Sequence, residues 1–153
     1  MKRSINKIVV IGLGNILLRD DGIGVRVIEQ LCSERFPKKV DVKFIDGGLK
    51  PDLSVFLDKE VSRLIIIDAA ETGDRPGSVR IVNPLEIQHE TSSIHGIDLQ
   101  QNMELMRLAG TLPESVFVVG IQPGEMSPGL ELTEKLTLSL PLIMEKVRGL
   151  IVS

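Results

Sequence analysis

An apolar run, Ile8 to Ile11, leads into a glycine-rich stretch, Gly12-Leu13-Gly14-Asn15-Ile16-Leu17-Leu18-Arg19-Asp20-Asp21-Gly22-Ile23-Gly24, and then into Val25-Arg26-Val27-Ile28-Glu29-Gln30-Leu31. The first segment reads as a buried strand and the last as a helix, so the glycines form a tight strand-to-helix turn. A strand that passes directly into a helix commits the chain to a crossover, and crossovers belong to parallel sheets with helices on their faces. Such turns ordinarily hold phosphate against a helix N-terminus. Here two adjacent carboxylates, Asp20 and Asp21, stand where the helix should begin. Carboxylates repel phosphate and attract metal ions, so the usual chemistry of the turn is inverted.

The rest of the chain repeats the alternation of strand and helix. A helix is expected from Gly24 to about Glu34, with Val25, Ile28, Leu31 and Cys32 on its buried face. Strands are expected at Val40 to Ile45, Arg63 to Ile67, Ser78 to Val82 and Val116 to Ile121. Arg63 to Ile67 is apolar throughout its middle, as a strand covered on both faces should be. A short helix is expected at Leu53 to Leu57, and another helix carries Leu99, Met103 and Met106 at core spacing. A C-terminal helix should run from about Leu132 to Val147, kinked at Pro141. Together these predict one α/β domain over residues 1–153, with a twisted, mostly parallel central sheet of about five strands and helices on both faces.

Composition narrows the function. The 153 residues carry a net charge of −3, no Trp or Tyr and only four Phe. Neither phosphate neutralisation nor base stacking has the residues it needs, which argues against nucleic-acid binding. A single cysteine, Cys32, excludes an internal disulfide framework and fits a reducing compartment. No segment has the length of a membrane span and no signal peptide is visible, so the expected location is cytoplasmic.

In open α/β sheets, ligands bind beyond the carboxyl ends of the strands. Those ends carry Asn15, Asp20 and Asp21, then Asp46, Asp68 and Gln122, while His95 lies in a polar loop before a helix. Carboxylate oxygens and an imidazole nitrogen suit a divalent metal such as nickel or zinc. No local metal motif unites them, and neither H-E-x-x-H nor paired C-x-x-C occurs. Asp68 closes an apolar strand, where a carboxylate needs a partner or a ligand. Asp20 reads as a helix cap or a solvent-exposed group. His89 reads as exposed, and Cys32, Met103 and Met106 read as core. Asp46 fits a ribose contact in a dinucleotide fold. Gln122 either orients a substrate backbone or satisfies carbonyls at a turn.

The glycine-rich stretch resembles the signature of the nickel–iron hydrogenase maturation endopeptidases. The resemblance continues through Leu64-Ile65-Ile66-Ile67-Asp68-Ala69, Pro76-Gly77-Ser78-Val79, Ser92-Ser93-Ile94-His95-Gly96, Val119-Gly120-Ile121-Gln122-Pro123 and Gly129-Leu130-Glu131-Leu132. It implies that Asp21, Asp68 and His95 bind metal and act in catalysis through it. It also implies cleavage of a C-terminal extension from a hydrogenase large-subunit precursor, with nickel already inserted in that precursor as the recognition element. One stretch departs from the pattern. Leu49-Lys50-Pro51-Asp52 follows Asp46-Gly47-Gly48 where many members have Thr and a further Gly. Two other readings compete. One is a Rossmann-like nucleotide-binding enzyme or domain, although Leu17 replaces the third fingerprint glycine and no Walker-type G-K-[ST] occurs. The other is a non-catalytic partner-binding domain on the same fold.

Overall fold

The computed structural model describes residues 4–50, 52–85 and 99–153. Five strands form one sheet: β1 (Asn6–Leu13), β2 (Val40–Gly48), β3 (Val61–Ala69), β4 (Val79–Val82) and β5 (Ser115–Ile121). Their order is β2-β1-β3-β5-β4, parallel throughout except for β4, an antiparallel edge strand on β5. The helices are α1 (Ile23–Leu31), α2 (Leu99–Ala109) and α3 (Glu134–Val152). Short 3-10 turns span Arg19–Gly22 and Ser54–Phe56. The mostly parallel five-stranded sheet expected from the sequence is the sheet observed.

Strand periodicity of two sorts the core into two layers. Ile8, Val10, Ile65, Ile67, Val119 and Ile121 point to the face covered by α1 and α3. Val9, Ile11, Leu13, Leu64, Ile66 and Val116 point to the other face, against Leu53 and Met106 of α2. Asp68 continues the period of Leu64 and Ile66, so it belongs to the α2 face. Met103 and Met106 are buried as expected.

Two expectations about the helices change. Cys32 is exposed, its thiol donating to the Glu29 carbonyl. The buried stripe of α1 runs through Ile23, Val27, Ile28 and Leu31, and the helix ends there. Cys32 is the C-cap residue, past the last turn that meets the sheet. The C-terminal helix, expected to end near Val147, runs on to Val152 with Pro141 inside it. The buried residues Leu136, Ile143, Val147 and Ile151 form one stripe across it, and the helix reaches Val152. Packing along that stripe outweighs the single amide bond that proline forgoes.

Candidate metal centre

The turn after β1 is closed by its own backbone. Gly14 sits at φ 128°, in a region that L side chains avoid, and a Cβ there would collide with the Asp21 carbonyl oxygen. A Cβ on Gly12 would strike the Gly24 carbonyl, and one on Gly24 would strike the carbonyls of Ile67 and Leu13. The glycines thus allow α1 to lie directly on β1 and β3. Its preceding 3-10 turn, which carries Asp20 and Asp21, also packs against β3.

That packing sets the place of two carboxylates. Gly12 of β1 is in register with Ile67 of β3, so the two strands end together. Asp68 follows Ile67 at that end and is 1% exposed. Asp21, from the 3-10 turn lying on β3, is 7% exposed. Its Oδ2 accepts a hydrogen bond from the Asn15 amide at 2.9 Å, which fixes the orientation of the carboxylate. The site lies where the strand order reverses, β1 leading on to β2 at one edge and β3 to β4 at the other, the place where open α/β sheets bind ligands. His95 and His89 lie outside the described residues. Among the described residues no group of three or more metal-capable side chains occurs. Asp21 and Asp68 nonetheless bring two carboxylates to one rim, and carboxylate oxygens are donors that suit a divalent cation.

Asp20 has a role that neither of its sequence readings anticipated. It is fully buried, and α1 has Gly22 as its N-cap with no side-chain cap bond. Its Oδ1 accepts from Thr133 N at 2.7 Å. Its Oδ2 accepts from Gly124 N, Glu125 N and Thr133 Oγ1 at 2.9, 3.0 and 2.7 Å. Burial pushes its pKa up, but the hydrogen bonds from Thr133, Glu125 and Gly124 outweigh that and hold it below the usual carboxylate value. Asp20 thereby ties the turn after β1 to the segment between β5 and α3. Arg19, at φ 47°, adds to the tie. Its Nε donates to the Glu131 carbonyl and its Nη1 pairs with Glu125 at 2.7 Å. The amide of Arg19 donates to Gly129 O and that of Gly129 to Leu17 O.

Gln122 takes the turn-stabilising part of its two readings. Its Oε1 accepts from the amides of Thr72 and Gly73, and its Nε2 donates to Glu71 and to the Pro123 carbonyl. Both ends of the side-chain amide are spent on the loop after β3. Asp46 lies inside β2 and is exposed, its Oδ1 accepting from the Gly48 amide. The same accounting bears on phosphate. The amides of Gly14, Asn15, Leu17, Leu18, Arg19, Asp20 and Asp21 all donate within the protein. A phosphate cradle needs such amides pointing outward, so this turn does not offer one.

The fold agrees with what the chain is similar to. The family model described as HycI, hydrogenase maturation protease, matches residues 25–149. The hydrogenase 2 maturation protease of Escherichia coli is 30% identical over 145 residues, covering 92% of this chain and 88% of that protein. HoxM of Cupriavidus necator, a hydrogenase expression/formation protein, is 34% identical over 123 residues, and the alignment takes in 78% of this chain. The chain spans only 60% of the length of HoxM and 63% of HupD from Bradyrhizobium diazoefficiens. Among solved structures, the hydrogenase maturating endopeptidase HybD from E. coli superposes with a TM-score of 0.75 at 30% identity, covering 92% of this chain and 89% of that one. The HycI protease of Thermococcus kodakarensis, at 24% identity and a TM-score of 0.74, shares the fold over 97% of this chain and 94% of its own. Among the described residues no helix is long and apolar enough to cross a membrane. With a family model matched over most of its length and a 30% identical relative covered over most of its own, the chain belongs to the hydrogenase maturation protease family.

Proposed function

We propose that this protein is an endopeptidase that removes the C-terminal extension of a nickel–iron hydrogenase large-subunit precursor once nickel has been inserted. The observation that supports this reading best is the burial of Asp21 and Asp68 together at the carboxyl ends of two adjacent strands, within a fold shared with the HybD endopeptidase. In this reading Asp21, Asp68 and His95 hold nickel that arrives as part of the substrate. The metal is a recognition element and not a resident cofactor.

The roles follow from the surroundings of each residue. Asn15, through its amide, aims the Asp21 carboxylate. Asp68 is fixed by β3, whose backbone is paired on both sides. His95 lies four positions before the start of α2, and we assign it as the nitrogen donor of the trio. Nickel bound there would polarise the scissile carbonyl or a water beside it. A precursor without nickel gives the three side chains nothing to grip, so differential affinity enforces the order of maturation. The rival nucleotide reading requires amides that this turn has already committed, and it predicts saturable binding of NAD or ATP. We expect none by calorimetry.

The direct test is mass spectrometry of the precursor after incubation with the protein, nickel-loaded and nickel-free. Loss of a C-terminal peptide from the loaded form alone is the expected result. No loss from a folded, loaded precursor overturns the assignment. Asp21→Asn and His95→Ala should each lower the rate at least about a hundredfold while circular dichroism shows the fold retained. Ordinary cleavage by either variant removes that residue from the site.

A further inference from the structure

Asn15 closes the turn after β1 with three of its polar groups and leaves a fourth over. Its backbone N–H donates to Asp21 Oδ2 at 2.9 Å. Its carbonyl accepts from the Leu18 N–H at 3.1 Å, and its side-chain Oδ1 accepts from the Leu17 N–H at 2.9 Å. The Leu17 N–H can only donate, so it must face the carboxamide oxygen, and the position of Nδ2 is fixed with it. Nδ2 has no partner among the described residues, and Asn15 is half-buried. Four bonds separate the Asn15 backbone nitrogen from Nδ2, so Nδ2 lies within about 8 Å of the Asp21 oxygen, less than three residues of extended chain. Donors are scarce here. Ionised Asp21 and Asp68 only accept. The backbone amides from Leu17 to Asp21 all donate within the protein. Gln122 Nε2 is spent on Glu71 and the Pro123 carbonyl, and Arg19 and Arg26 pair with Glu125 and Glu29. A peptide carbonyl that gains negative charge beside two carboxylates needs a donor, and Asn15 Nδ2 is uncommitted.

We infer that the side-chain Nδ2–H of Asn15 donates a hydrogen bond to the carbonyl oxygen of the scissile peptide, a bond that strengthens as that oxygen becomes anionic. This rests on the function proposed above and adds a catalytic residue to it. In the hydrolysis the oxygen of a water molecule bonds to the carbonyl carbon while the π pair moves onto the carbonyl oxygen. That pair returns as the C–N bond breaks, one water proton passes to the leaving nitrogen, and a carboxyl group and an amine remain. Nδ2 gains and loses no proton; it meets the charge while the charge sits on oxygen. A neutral donor suits this work beside two carboxylates, because a cationic one would pair with them instead. The bonds to Asp21 and Leu17 fix Asn15 before a substrate arrives, so no reorganisation is required as the charge develops.

Asn15→Ser separates this role from that of the turn. Its hydroxyl oxygen can still accept from the Leu17 N–H, as serine does in turns, but its shorter arm places no donor where Nδ2 stood. Cleavage of the nickel-loaded precursor is followed against precursor concentration, and binding of the precursor is measured separately by interferometry. Asn15→Ser should lower the saturated rate at least about a hundredfold. The half-saturating concentration and the measured affinity should stay within about twofold, the pattern of an interaction made only in the transition state. Thermal melting verifies that the variant folds, and Asn15→Thr, equally neutral, replaces it if it does not. A role in the turn alone would lower the melting temperature or raise the half-saturating concentration and leave the saturated rate within about threefold of the natural protein's. That result overturns the inference, while the protease assignment stands on cleavage by the natural protein. Absence of cleavage by the natural protein of a folded, loaded precursor overturns both together.

Discussion

Asp20 and Asp21 are adjacent and chemically identical, and the fold gives them opposite work. Asp20 is turned inward onto four donors from the other end of the chain. Asp21 stands at the rim, oriented by a neighbour only six residues away. Asp20→Asn should therefore destabilise the protein by about 2–4 kcal/mol, because the new amide nitrogen faces donors and leaves buried N–H groups unmatched. Urea unfolding should show a lower midpoint at unchanged slope. The pH dependence has a definite sign. The pKa of Asp20 is lower in the folded protein than in the unfolded chain, so its contribution is complete above the unfolded value of about 3.9 and disappears as pH falls through the folded one. The stability gap between the natural protein and Asp20→Asn should be constant from about pH 7 to pH 5 and close below about pH 4. A gap that stays open in acid would mean that the charge is not what the four donors hold. Sequence reading could not reach this role, because the partners lie 104 to 113 positions away and nothing local marks them. Gln122 shows the same limit, with its partners Thr72 and Gly73 about fifty positions back.

At the scale of elements, the turn after β1 was legible as strand, turn and helix, and so were its glycines. What they are for was not. A glycine-rich turn of the general kind that cradles phosphate elsewhere here lets α1 and its preceding 3-10 turn pack against β1 and β3. The difference is decided by where the amides go, and that depends on Asp21 and on segments distant in sequence. Gly24→Ala tests the packing account. Its Cβ would press on the Ile67 and Leu13 carbonyls, and backbone cannot yield as a side-chain tip can. The substitution should cost about 2–3 kcal/mol or more. It should also lower precursor cleavage, since displacing α1 displaces Asp21. Gly149→Ala is the counterpart. It lies within α3 with nothing within 4 Å of the added methyl, and should stabilise by about 0.5–1 kcal/mol through the unfolded chain and helix propensity. Equal melting shifts for the two variants would show that helix propensity, and not contact with the sheet, governs both positions. Cys32 is a smaller case of the same limit. The period of 3.6 placed it on the apolar stripe, but a period does not say where the helix leaves the sheet.

The whole molecule is organised around β3. It lies between β1 and β5, is parallel to both, and has helices on either side. Ile65, Ile66 and Ile67 are all 0% exposed. The rim that carries Asp68 thus rests on a strand enclosed on both faces and both edges, while the opposing side of the site rests on loops that Asp20 and Arg19 bind together. Rigidity at Asp68 and a bound strap near Asp21 are what the proposed site would need to bind a metal carried by a large partner without rearranging. This division predicts the pattern of amide exchange. Amides of Ile65 to Ile67 should exchange only through global unfolding, with the free energy measured by denaturant. Those of the edge strand β4, four residues long and paired on one side among the described residues, should open locally at a free energy lower by several kcal/mol, as short, exposed elements do. Gly124 and Glu125 separate this account from one based on secondary structure alone. They lie in no helix or strand, yet their amides donate to Asp20 and should be protected nearly as well as the sheet. In Asp20→Asn that protection should fall at Gly124, Glu125 and Thr133, while Ile65 to Ile67 change only by the loss in global stability. Fast exchange at Gly124 and Glu125 in the natural protein would mean that Asp20 does not hold the strap in place.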